Sequence, residues 1–390
     1  MAAPETIYLD HNATTPARPE VVEAMVRCYA EEHANPASRH RAGQRARKVL
    51  EDARERIAEI LGADLTCPQP DRLIFTSGGT EANNLALLGI AQAAGDERGD
   101  IIISSIEHPS VIEPAEHLLE RDWTLHTLSA TPDGVVRTDQ LAELLCDRTR
   151  LVSVMLGNHE TGVLQPVGEL ATVCNDAGVP MHTDAIQVAG KLPIDFRGLG
   201  VAAMSIAAHK FQGPPGIGAL ILRDDVPIVP VLFGGHQQSG LRPGTEPVAP
   251  AIGMWTALEL WHKEQEAHTH RLRALCKQLA DGIRAGFPGV IVHGEHTNRL
   301  PQTANIAFPG LDGQALLTAL ETAGVACAAG SACSSGSTDL SPTLNAMGLP
   351  SRIVKSSLRF SLGATTTEAN IQEAVARILH ACNRLQGTQK

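Results

Sequence analysis

The chain has 390 residues, 43% hydrophobic and 19% charged, an ordinary soluble composition and long enough for more than one core. Its formal net charge of −11 at pH 7, with no long basic run, argues against nucleic acid and anionic membrane as partners, while a small anionic ligand could still be held by local groups. No run of about 18 apolar residues is present, so no membrane span is expected. The opening MAAPETIYLDHNATTP lacks a secretory pattern, so a cytoplasmic setting is expected.

Apolar residues Ala46, Leu50, Ala53, Ile57 and Ile60 recur at helical spacing and predict a helix over 39–61. Strands and helices then alternate. RLIFT (72–76) precedes TEANNLALLGIA (80–91), IIISS (101–105) precedes PSVIEPAEHLLE, and WTLHTLSA (123–130) precedes TDQLAELLCD. LVSVML (151–156) precedes VGELATVCNDAG, and VPMHTDA (179–185) follows. Such alternation predicts an α/β fold with a mostly parallel, covered sheet. A helical region is expected over about 248–286, and from 290 the units shorten: VIVHG, TANIAF, a helix in DGQALLTALETAG, SLRFSLG and a C-terminal helix striped by Ile371, Val375, Ile378, Cys382 and Leu385. The expected division is a large domain over 17–260 and a smaller α+β domain from 1–16 and 261–390.

Several turns after strands carry chemistry. In FTSGGTEANN, Gly79 and Thr80 open a helix whose free N–H groups suit a phosphate, although a turn merely capped by Thr80 would read the same way. Asp184 ends an apolar strand, where open α/β sheets place their ligands; its partner is a structural arginine or a protonated ring nitrogen. Lys210 follows the strand in GVAAMSIAAH and precedes GPPGIG, so it is a snorkelling or paired lysine, or an amine in covalent use. A phosphate cradle, a strand-end Asp and a strand-end Lys together match the three anchors of pyridoxal phosphate, with Lys210 on its aldehyde.

His108 follows another strand and is either structural or a proton carrier beside the ring. Arg359, inside the apolar run SSLRFSLG, is either a salt-bridge partner or a clamp on a substrate carboxylate. Eight cysteines lie at 28, 67, 146, 174, 276, 327, 333 and 382 with no CxxC pair, so no metal site is expected and most should be reduced packing residues. Cys333 differs, because GSACSSGS places a thiol among loop residues; nearby Cys327 reads as a packing residue.

The motifs YLDHNATTP, NPASRHRAG, FTSGGTEANN, EHPSV, HTDAIQVAGKLPID, HKFQGPPGIGAL, LRPGTE, GSACSSG and LRFSLG, in this order, resemble the cysteine desulfurases of the NifS/IscS type. These are fold-type I pyridoxal-phosphate enzymes of aminotransferase class V. The resemblance implies a homodimer, L-cysteine as substrate, and a sulfur-acceptor partner such as an iron–sulfur scaffold protein. It places Lys210 on the cofactor aldehyde, Asp184 on the ring nitrogen, Gln187 on the ring oxygen, and His108 over the ring. It implies phosphate contacts from Gly79, Thr80, His209 and, across the dimer, Thr245. Arg359, with Asn35 near it, would take the substrate carboxylate, and Cys333 would take the sulfur as a persulfide.

Two positions depart from the family pattern. His159 stands where Asn is usual, beside cofactor and substrate, and Ala207 replaces a Ser that would reach the phosphate. Ser205 has the wrong strand phase to replace it. A selenocysteine lyase, a catalytically silent scaffold and an aminotransferase are the competing expectations.

Overall fold

A computed structural model describes residues 5–31, 34–93, 95, 98–330 and 340–388. Cys333 lies outside the described residues. In chain order the strands are β1 (Ile7–Tyr8), β2 (Arg72–Thr76), β3 (Asp100–Ser104), β4 (Thr124–Leu128), β5 (Thr149–Ser153) and β6 (Met181–Asp184). They continue with β7 (Ala203–Ala207), β8 (Gly218–Leu222), β9 (Ile291–Val292), β10 (Thr303–Ala307), β11 (Val325–Ala326) and β12 (Ser357–Ser361).

Seven strands form one sheet in the order β2-β8-β7-β6-β5-β3-β4. Helices return the chain between β3 and β7, and those pairings are parallel. Only β8 is reversed, antiparallel to β2 and β7. The connection from β7 to β8 explains this: it holds a 3-10 turn at Ala208–Lys210 and a Gly/Pro loop, with no crossover helix to carry the chain back. Gly218 starts β8, and a Cβ there would lie 2.6 Å from Gly78 C and 2.7 Å from Ile206 O. Only glycine lets β8 begin against the turn after β2.

Alternation along buried strands sends side chains to two layers. Ile101 and Ile103 pack with Leu85, Val111 and Leu118 under helices Gly79–Ala93 and Pro109–Leu119. Ile102, Val152 and Met204 pack on the other face with Leu50, Ile57 and Leu170 from helices Arg41–Ile60 and Val167–Asp176. A second core holds the antiparallel sheet β12-β10-β9, helices Gly313–Thr322 and Glu368–Thr388, and the pair β1-β11. Helix Val248–Gly286 serves both cores. Met254, Leu258 and Trp261 lie in the first, Leu272, Leu279 and Ile283 in the second. At about 1.5 Å per residue it is a rod of roughly 58 Å.

The fold is therefore the expected α/β arrangement with a smaller antiparallel region. Helix Pro19–Glu31 was not anticipated, because it buries only Val21 and Cys28 while Val22, Val26 and Tyr29 stay exposed. No helix among the described residues is long and apolar enough to cross a membrane.

Candidate active site

The carboxyl ends of the strands open on a cavity of about 190 Å³. The turn after β2 brings Gly79 and Thr80 to it, the turn after β3 brings His108, and the end of β6 brings Asp184 and Gln187. His209 and Lys210 come from the turn after β7. Asn12 and Ala13 follow β1, His159 comes from the segment after β5, and Arg359 lies on β12.

Asp184 is buried, and its known hydrogen bonds come from neutral groups. Oδ2 accepts from Asn83 Nδ2 at 2.7 Å and Oδ1 from Ile186 N at 2.9 Å. Burial pushes this carboxyl up from the ordinary range, against the opposing effect of His108. Asn83 also donates to Ser110 Oγ at 2.8 Å, and Ser110 Oγ lies 2.8 Å from His108 Nδ1. His108 caps helix Pro109–Leu119, its Nδ1 accepting from Ser110 N at 3.1 Å. A ring that accepts at Nδ1 carries its neutral-state proton on Nε2. Burial lowers the His108 pKa. Asn83 and Ser110 thus link Asp184 to His108, and neither was anticipated, since uncharged side chains carry no sequence signal for such a role. Nearby Glu107 is buried, pushed up to about 8, and accepts from Met155 N at 2.8 Å.

Lys210 Nζ donates to the carbonyls of Asn12 at 2.5 Å and Ala13 at 2.9 Å. His209 Nδ1 meets Thr14 Oγ1 at 3.1 Å, and burial lowers its pKa to about 4. Ala207 presents only a methyl beside Gly79. Ser205 is committed elsewhere, its Oγ 2.9 Å from His182 Nε2.

Arg359 is 1% exposed. Its Nη2 meets Asp10 Oδ1 at 2.6 Å and its Nη1 donates to His159 O at 3.0 Å. His159 is buried, with its Nε2 3.7 Å from Glu160 Oε1 and its ring 5.3 Å from that of His108. Burial first, then the charges of His108, Arg359 and Lys210, hold His159 well below the usual imidazole range, so the ring is neutral. Two anticipated residues are not brought to the cavity of this chain. Asn35 is exposed and turns its Oδ1 to Ala37 N at 2.9 Å, closing a local turn. Thr245 is exposed as well. Cys327 is partly buried against the second core, and its thiol is pushed up to about 12 by burial.

The donor set fits pyridoxal phosphate. The first N–H groups of helix Gly79–Ala93 have no acceptor within the helix and suit an anion. The buried Asp184 carboxylate lacks a full cationic counterpart, which a protonated ring nitrogen supplies. His159 Nδ1 and Arg359 Nε are buried at the cavity with no hydrogen-bond partner among the described residues, as expected of groups that meet a ligand. Fold and cavity together define a pyridoxal-phosphate enzyme, and the aminotransferase class-V family matches residues 7–374, so the chain belongs to it. Within that family it is 42% identical over 375 residues to an IscS-like cysteine desulfurase of Mycobacterium tuberculosis, covering 94% of each chain. It is 39% identical over 372 residues to the cysteine desulfurase NifS of Azotobacter vinelandii, covering 95% of this chain and 91% of that one. A solved NifS-like protein superimposes with a TM-score of 0.90 at 31% identity, over 97% of this chain and 100% of the other.

Proposed function

We propose that this chain is a cysteine desulfurase, converting L-cysteine to L-alanine and passing the sulfur to an acceptor. The observation that carries the reading is the meeting of Lys210, Asp184 and Arg359 at one cavity, in a chain whose near-full-length relatives are cysteine desulfurases. Bound there, pyridoxal phosphate supplies an electron-accepting ring conjugated to the substrate amine. The N-terminus of helix Gly79–Ala93, with Thr80 and His209, holds the phosphate, and Asp184 keeps the ring nitrogen protonated. Lys210 holds the aldehyde, and His108 carries protons at Nε2. Arg359 orients the substrate carboxylate, assisted by His159 Nδ1. The Cys333 thiolate then bonds to the substrate sulfur as the Cβ–S bond breaks. The electron pair and a proton end on carbon, giving alanine and a persulfide.

The same reading includes a homodimer with Thr245 reaching the partner's phosphate, Asn35 brought near the substrate on assembly, and the domain division at 260/261. It also takes the setting as cytoplasmic and the acceptor as an iron–sulfur scaffold protein.

Incubating the holoenzyme separately with L-cysteine and L-selenocysteine and measuring alanine tests the activity. Alanine from cysteine, with one added sulfur on the Cys333 peptide by mass spectrometry, is expected. Turnover of selenocysteine alone would make it a selenocysteine lyase, and transfer of nitrogen to a 2-oxo acid an aminotransferase. Lys210→Ala should abolish the cofactor's visible band; retention of that band would contradict its assignment.

A further inference from the structure

Lys191 is a buried lysine that the chemistry above does not use. Its Nζ donates to Gln187 Oε1 at 2.9 Å, and Gln187 Nε2 donates to Asn12 O at 3.0 Å. A backbone carbonyl only accepts, so the contact with Asn12 O fixes which end of the Gln187 amide is which, and leaves Oε1 to accept from Lys191. The Nε2 end keeps one further hydrogen, and Gln187 lines the cofactor cavity.

The surroundings of Lys191 are largely cationic or apolar. Lys191 shares electrostatic influence with Lys210 and His209 of the turn after β7, His11 of the N-terminal segment and Arg359 of β12. A small second cavity behind Lys210 is lined by Lys191 together with Arg18, Glu264 and His268. The one carboxylate among these, Glu264, is already bound to Arg18 at 2.9 Å. Among the described residues no carboxylate is hydrogen-bonded to Lys191. Burial, then Lys210 and Arg359, hold its ammonium well below the usual lysine range in the absence of a counter-charge. The oxygen anions of a bound cofactor are the counter-charge that this amine lacks.

We infer that Lys191 is a positioning residue for the cofactor: as an ammonium one side chain behind Gln187, it locks the amide with Nε2–H toward the ring oxygen and favours that oxygen as an anion. The inference rests on reading the cavity as a pyridoxal-phosphate site. It makes a directional statement. A cation close to the ring disfavours the protonated, more positive form of the bound cofactor, so its removal lets that form persist to higher pH. For a unit charge about 10 Å away at an effective dielectric of about 20, the shift is about one pH unit.

The test is a spectrophotometric pH titration of the visible cofactor band in the wild-type holoenzyme and in Lys191→Met, Lys191→Gln and Lys191→Arg. Glutamine keeps a donor for Gln187 without the charge, and arginine keeps the charge. The expected result is a midpoint raised by about one pH unit in both uncharged variants and near wild type in Lys191→Arg. Wild-type midpoints in both uncharged variants would overturn the proposal. So would a shift confined to Lys191→Met, which would leave only the hydrogen bond. A wild-type protein that takes up no pyridoxal phosphate would instead sink the cofactor reading on which the proposal stands. The two smaller side chains fit the space of the lysine, and the adjacent cavity leaves room for arginine.

Discussion

The two buried charges that face the cavity are treated differently. Asp184, on the large sheet, is held by Asn83 and a backbone N–H, neutral donors that orient a carboxylate without cancelling it. Arg359, on the small antiparallel sheet, has an anion of its own in Asp10, plus a backbone carbonyl. The large-sheet side thus gives Asp184 no hydrogen-bonded cation, only the charges of His108 and Lys210 nearby. On the small-sheet side the guanidinium charge already has its anion, and under the proposed function an incoming carboxylate would share Arg359 with Asp10. Such a division suits a cofactor that stays and a substrate that comes and goes.

Removing the charge of Asp184 should have the largest effect. Asp184→Asn preserves shape, with one oxygen left to accept from either Asn83 or Ile186 N, and should lower kcat by on the order of 10²-fold or more; near-normal turnover in steady-state kinetics would break the contrast. Next comes Asp10→Asn, which strands a buried guanidinium. Unfolding stability should fall by about 2–3 kcal/mol in denaturant melts, while KM for cysteine should not rise, since the competing anion is gone. A raised KM would show that Asp10 helps rather than competes.

Acid should weaken both sides together. Burial lowers His182 to about 3, and His11, His209 and His293 to about 4. These folded values lie below an unfolded value near 6.5, so the unfolded chain binds more protons in between. Their contribution to stability is full above pH about 6.5 and is lost as the pH falls toward and through about 4. Denaturant midpoints at three pH values across that window should decline steadily; a flat profile would show that these rings are reachable by solvent. The smallest effect is a gain. Ala207→Ser adds a hydroxyl beside the Gly79 turn and should slow cofactor loss on dialysis a few-fold, the worth of one added hydrogen bond.

Legibility in the sequence followed the kind of signal. β2 to β7, β9, β10 and β12 stood out as short apolar runs, β8 and β11 were not read as strands, and the span of helix Val248–Gly286 was anticipated. The reversal of β8 was not visible, because strand direction depends on what the connection does in space rather than on the strand's own residues. Helix Pro19–Glu31 escaped because its apolar side chains point both inward and outward. Charged and titratable site residues at strand ends were readable, since a buried charge needs a reason. The carbonyls of Asn12 and Ala13 were not, because any residue supplies a carbonyl and only the path of the chain brings these two to Lys210. Asn35 and Thr245 are exposed and stand away from the cavity of this chain, and the proposed homodimer is what would bring them to a site.

The rod from Val248 to Gly286 has a thermodynamic corollary. Because each half is a wall of a different core, neither core can come apart without stripping the packing from part of a helix the other still needs. Melting of the cofactor-binding body and of its smaller neighbour should therefore be coupled, and a calorimeter should record one peak where two separately tethered bodies would give two.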